Sequence, residues 1–209
     1  MIQTANLCSL SCTFLTPSEN PTAVIALELL DNLPHDKIRR CVETGGILQA
    51  EVVPIGEVDG EEDVRLSQTT YHETFSPLKD QLVQHILSLA PSIYTPISSQ
   101  GPRWVPTVAL GILMKLFECR PNSSIAFADF DWLPPPDLGG YDSSLQLGDP
   151  IVTDMKGNDH LSYLTSPPDA LCDILFPTDF GRLAAFAKLA HASIVKSERE
   201  IITKSMKQS

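Results

Sequence analysis

Residues 23–34 read AVIALELLDNLP, and no other stretch constrains the fold as tightly. An apolar run of this length, β-branched at Val24 and Ile25 and closed by Pro34, is the pattern of a buried strand. It delivers two carboxylates, Glu28 and Asp31, at its end. In open α/β sheets ligands bind beyond the carboxyl ends of strands, so acids there are candidates for a site. A second run, SIAFADF at 124–130, also ends in an acid, Asp129. Between them Pro106 opens a helix whose apolar positions include Leu110, Leu113 and Phe117, with Pro121 beyond its end. Strand, helix, strand is an α/β order, and it places the two strands as parallel neighbours.

The remaining segments read as follows. Residues 37–44 and 47–53 flank Gly45-Gly46, the signal for a hairpin with a two-residue primed turn, inserted after the first strand. Residues 57–63, EVDGEED, form a solvated acidic loop. Leu78, Leu82, Ile86 and Leu89 recur near helical spacing, which predicts a helix from Pro77 to about Ala90. Residues 92–103 are a connector rich in Pro and Ser, and 133–150 is a long surface loop. Short strands follow at 151–154 and 170–176, then a helix capped by Thr178 or Asp179. The chain divides into an irregular lead-in at 1–22, a body at 23–192 and a charged helical tail at 193–209.

Charge and cysteine usage narrow the function classes. Lys and Arg total 15 against 26 Asp and Glu, a net charge of −11. That balance disfavours nucleic acid or an anionic membrane and suits a cationic partner. The five cysteines are scattered, and Cys8 and Cys12 are the one close pair. No second Cys or His pair with zinc spacing accompanies them, so no metal is expected. No apolar stretch is long enough to span a bilayer, and no presequence is visible.

Four blocks in order, VIALELLDNLPHD (24–36), RWVPTVALGILMKLF (103–117), SIAFADFDWLPPP (124–136) and DILFPTDFGRLAAF (173–186), resemble the MidA family of S-adenosylmethionine-dependent methyltransferases. Its mitochondrial members are type II protein arginine methyltransferases that assist assembly of respiratory complex I. The resemblance implies an incomplete Rossmann-like methyltransferase fold, the C-terminal strands and helices plus the inserted hairpin. Block 24–36 would be the fourth strand and 124–130 the fifth. It further implies S-adenosyl-L-methionine as cofactor, a complex I subunit arginine as substrate, symmetric dimethylation and a mitochondrial location. Two departures stand out: Leu27 replaces the family's asparagine, and Asp131 replaces its glycine. The sequence also has no G-x-G-x-G, the turn that cradles the cofactor, so it resembles the C-terminal half and is expected to be inactive alone.

Methylating a guanidine requires that the planar cation be held with one nitrogen facing the donor methyl. The guanidinium is so weak an acid that a base strong enough to deprotonate it is impractical, so fixed carboxylates do the orienting. On this reading Glu28 is the principal guanidinium clamp, Asp31 its partner, and His35 a proton acceptor after transfer. Asp129, Trp132 and Asp179 line the substrate cleft. Blander roles stay open: Asp31 as a loop cap, Glu28 paired with a basic residue, His35 on the surface, Asp179 as a helix cap, Trp104 and Trp132 as packing. The alternative function is a non-catalytic interaction or assembly module on a degenerate methyltransferase fold. An edge strand left open by a half-sheet is expected to self-pair, giving a homo-oligomer or aggregate.

Overall fold

The computed structural model describes residues 17–18, 20–54, 71–96, 101–131, 149–154, 156–160, 163–164 and 172–208. The lead-in up to residue 16, the acidic run at 57–63 and Trp132 with most of the 133–150 loop lie outside them.

The two acidic runs form β1 (Thr22–Leu27) and β6 (Ser123–Ala128), paired in parallel with Leu27 opposite Ala128. Their carboxyl ends therefore share one rim, as the sequence implies. Burial differs from the expectation. Thr22, Val24 and Ala26 are half-buried, whereas Ile25 is 72% and Leu27 66% exposed. The strand is covered on one face only, because the described residues supply a helical layer on one side. That layer includes α3 (Thr107–Cys119), and Ile125 and Phe127 of β6 pack on the cluster holding its Leu110, Leu113 and Phe117.

Between β1 and α3 the chain builds a four-stranded sheet in the order β4-β3-β2-β5. Its strands are β2 (Asp36–Arg40), β3 (Ile47–Pro54), β4 (Tyr71–Pro77) and β5 (Arg103–Val105), all antiparallel. The expected β2–β3 hairpin is present, but its turn is longer than two residues. Cys41 N–H donates to the Gly46 carbonyl (2.7 Å) and Gly45 N–H to the Cys41 carbonyl (2.9 Å), with Gly45 at φ +70°. One left-handed glycine at the end of a wider loop replaces the primed turn.

Pro77 ends β4 instead of opening a helix. The helix α1 (Gln81–Leu89) starts where Asp80 accepts from the Val83 N–H at 2.9 Å. The connector at 92–103 holds the end of a short helix, α2 (Pro91–Tyr94), and the start of β5. A third sheet, β8-β7-β9, joins β7 (Ile151–Asp154), β8 (Asp159–His160) and β9 (Cys172–Leu175). The chain closes with α4 (Phe180–Gln208). Leu183, Phe186 and Ala190 of α4 join Ile86 of α1, Leu110 of α3, Ile38 and Val105 in one core cluster, so these three helices and the antiparallel sheet share a single interior. No helix is long and apolar enough to cross a membrane among the described residues.

Candidate functional site at the β1–β6 rim

The site begins with a change of backbone direction. Glu28 N–H still donates to the Ala128 carbonyl (2.8 Å), which extends the β1–β6 ladder by one residue. Glu28 itself lies at φ +49°, the one non-glycine residue in the left-handed region among the described residues. Such a conformation costs on the order of 1 kcal/mol and turns the chain out of the sheet plane. The Glu28 carboxylate is exposed and makes no hydrogen bond among the described residues.

Asp129 holds the loop that follows. Its Oδ2 accepts from the Leu30 N–H (2.5 Å) and the Asp31 N–H (3.3 Å), and its Oδ1 accepts from the Phe130 N–H (2.8 Å). Charge-assisted bonds to backbone donors are the strong kind, so the acid of one strand end shapes the loop of its neighbour. Asp31, within that loop, is 2% exposed, with Oδ1 accepting from the Asn32 side-chain amide at 2.8 Å. Burial, and then the Asp129 charge, raise its carboxyl above the ordinary 3.8.

The expected side-by-side clamp is therefore not what the structure shows. Glu28 alone meets solvent, and Asp31 is sealed under packed backbone and side chains. The reason is the left-handed turn at Glu28, which separates two acids that a regular strand end would keep together.

His35 is largely enclosed. Its Nδ1 lies 2.8 Å from the Leu33 carbonyl, which can only accept, so the network assigns the proton to Nδ1 and the lone pair to Nε2. Burial lowers its pKa to about 4, against smaller opposing effects of the Leu33 carbonyl and Asp36. A ring that is neutral at physiological pH accepts a hydrogen bond readily but does not keep a proton. Asp179 is placed at the start of α4, where its Oδ1 accepts from the Arg182 N–H (2.9 Å) and its Oδ2 meets Arg182 Nε at 3.2 Å. That is helix-capping geometry on the surface.

Beside the rim lies a cluster that no sequence pattern announced. Lys37 of β2 donates to Glu73 of β4 (3.1 Å) and to the Tyr163 hydroxyl (2.9 Å), while that hydroxyl also bonds Glu73. The ammonium lies 5.3 Å from the ring centres of both Trp104 and Tyr163. Trp104 in turn donates its indole N–H to Asp149 at 2.9 Å. Burial and Glu73 raise the Tyr163 hydroxyl well above the usual phenol range. The members are scattered from residue 37 to residue 163, so spacing gives no local signal. Glu73→Ala would leave a mostly buried ammonium without its carboxylate, and is expected to cost about 2 kcal/mol or more in urea unfolding. Glu73→Gln, which keeps an acceptor, should cost clearly less.

The residues present suit a cation better than a nucleotide. Glu28, Asp129 and Asp131 gather carboxylates at one rim, and three or more metal-ligating side chains converge nowhere among the described residues. The two positive-φ glycines described, Gly45 and Gly157, sit in turns of antiparallel sheets and not after a parallel strand. With no G-x-G-x-G in the sequence, no cradle for an adenosyl group is formed by these residues.

A family model described as "Putative S-adenosyl-L-methionine-dependent methyltransferase" covers residues 8–197. No curated protein and no solved structure matches the chain. The family's cofactor is S-adenosyl-L-methionine, and the mixed α/β architecture agrees with such an enzyme. With nearly all of its length matched, the chain belongs to this family of S-adenosyl-L-methionine-dependent methyltransferases.

Proposed function

We propose that this chain supplies the substrate rim of a protein arginine methyltransferase. Its product would be a symmetrically dimethylated arginine on a respiratory complex I subunit during assembly in mitochondria. The observation that carries this reading is the free Glu28 carboxylate, held at φ +49° on the shared carboxyl-end rim of two parallel strands. A guanidinium approaching that rim meets Glu28 first, with Asp129 and Asp131 adding negative potential behind it. The mitochondrial location, the complex I subunit and the symmetric product come from the resemblance of blocks 24–36, 103–117, 124–136 and 173–186 to the MidA family.

On this proposal each group has a distinct task. Glu28 binds and orients the cation by charge-assisted hydrogen bonds. Asp129 fixes the loop by binding its N–H groups, and Asp31, buried within the loop, is a structural acid. His35, neutral and with Nε2 unbonded among the described residues, offers an acceptor for a substrate N–H. The bound cofactor supplies the methyl group.

A second reading, a non-catalytic assembly module, is favoured by one fact: the absence of a glycine-rich loop. Calorimetric titration with S-adenosylmethionine tests whether these residues hold the cofactor by themselves. The 209-residue chain by itself is expected to bind the cofactor with a Kd above ~1 mM, corresponding to less than about 4 kcal/mol. Micromolar binding would show that these residues build the cradle after all. Radiolabelled methyl transfer to an arginine peptide, by a form of the enzyme that binds the cofactor, separates the two readings: transfer lost in Glu28→Gln supports the arginine proposal, and transfer that persists in the variant refutes it.

A further inference from the structure

Segment 176–178, between β9 and α4, touches both acidic strand ends at once. Phe176 N–H donates to the Asp31 carbonyl (2.9 Å), and Thr178 N–H donates to the Phe130 carbonyl (2.8 Å). The Phe176 ring lies flat on the His35 imidazole, with centres 3.9 Å apart and planes 9° from parallel. The same ring also meets Trp104 edge-on at 5.1 Å, and Trp104 leads to the Lys37–Glu73–Tyr163 cluster. Phe176 is buried and carries no chemistry of its own.

We propose that Phe176 is a strap on the substrate rim: its backbone pins Asp31 and its ring pins His35, so loop 28–35 is held in one geometry against the rim. The backbone bond and the ring stack are independent contacts, one in the middle of that loop and one at its end. A hydrogen bond alone would allow His35 to rotate about its side chain. A stack alone would allow the Leu30–Leu33 turn to lift. Together they leave the loop little freedom, and displacements near 1 Å at a reacting centre can cost about 100-fold in rate. The aromatic contact with Trp104 then makes the antiparallel sheet the anchor for the acidic rim. This inference rests on the reading of the rim as the substrate site, but its test needs neither cofactor nor substrate.

The variants are Phe176→Met, which keeps volume and removes the flat ring, and Phe176→Leu. The readouts are the imidazole resonances of His35 through an acid titration, and amide hydrogen exchange across the 209-residue chain. In the wild type His35 is expected to show the neutral Nδ1-protonated signature at neutral pH. In Phe176→Met its titration midpoint is expected to move up by about one unit, a tenfold gain in proton affinity. Amides of Asn32 and Leu33 should exchange roughly tenfold faster, while those of β3 and β4 stay unchanged. A midpoint and exchange rates within about twofold of wild type would overturn the proposal. If both variants fail to fold, wild-type exchange decides it: the Phe176 and Thr178 amides must be protected like those of β1, and exchange at the rate of an open loop overturns it. Failure of Glu28→Gln to affect methyl transfer would instead remove the substrate site and leave the strap intact.

Discussion

Glu28→Gly is expected to make the protein more stable and the enzyme nearly inactive. Glu28 occupies the left-handed region at φ +49°, where glycine avoids a steric cost of about 1 kcal/mol. Its side chain is exposed and makes no hydrogen bond among the described residues, so deletion removes no contact. The midpoint of thermal unfolding should therefore rise by about 2–4 °C, less whatever flexibility glycine adds to the unfolded chain. If Glu28 is the guanidinium clamp proposed above, arginine methyl transfer by a cofactor-binding form of the enzyme should fall by at least about 100-fold, near 3 kcal/mol of transition-state stabilisation. Opposite signs in one variant identify a residue kept in a costly conformation for function. A variant that loses stability and keeps its rate would deny Glu28 the role. Glu28→Gln, which keeps the backbone geometry, should lose rate with little change in melting temperature.

Acid is expected to weaken the fold well before the ordinary carboxylates titrate. His35 has a pKa near 4 in the folded chain against about 6.5 when unfolded. Between those values the unfolded state binds a proton that the folded state refuses, so stability falls as pH falls through that window. The depression of about 2.5 units corresponds to roughly 3 kcal/mol when fully expressed. Asp31 works in the opposite direction. Its raised pKa means that the folded state takes up a proton first, which offsets part of the loss just above pH 4. The steepest fall should therefore lie between about pH 6.5 and 5. Urea midpoints measured at intervals across that range check it. In His35→Phe, which keeps a ring for Phe176 to stack on, the slope should largely vanish. A wild-type profile flat across the window would mean that His35 is not held neutral by burial.

The comparison between chain and fold turns on distance along the sequence. The β1 and β6 runs, the Pro106-led helix, the hairpin around Gly45-Gly46 and the cap at Asp179 were legible because each is a local pattern, whether alternation, apolar period or turn chemistry. Strand β4 was not, because YHETFSP has no strong pattern and becomes a strand through its pairing with β3. Strand β5 was not, because three residues are too few to show a period.

The site divides in the same way. That acids end both parallel strands was written in the residues, and so was the absence of a glycine-rich loop. Which acid faces water was decided only by the tertiary structure. Local spacing put Glu28 and Asp31 together, but Asp129, nearly a hundred residues away, draws the loop inward by its N–H groups and buries Asp31 while Glu28 turns out. The Phe176 strap and the Lys37–Glu73–Tyr163 cluster likewise exist only once separate segments meet. Backbone propensity acts over a few neighbours, whereas burial and charge act across whatever packing brings close, and the depth of a carboxylate depends on the second.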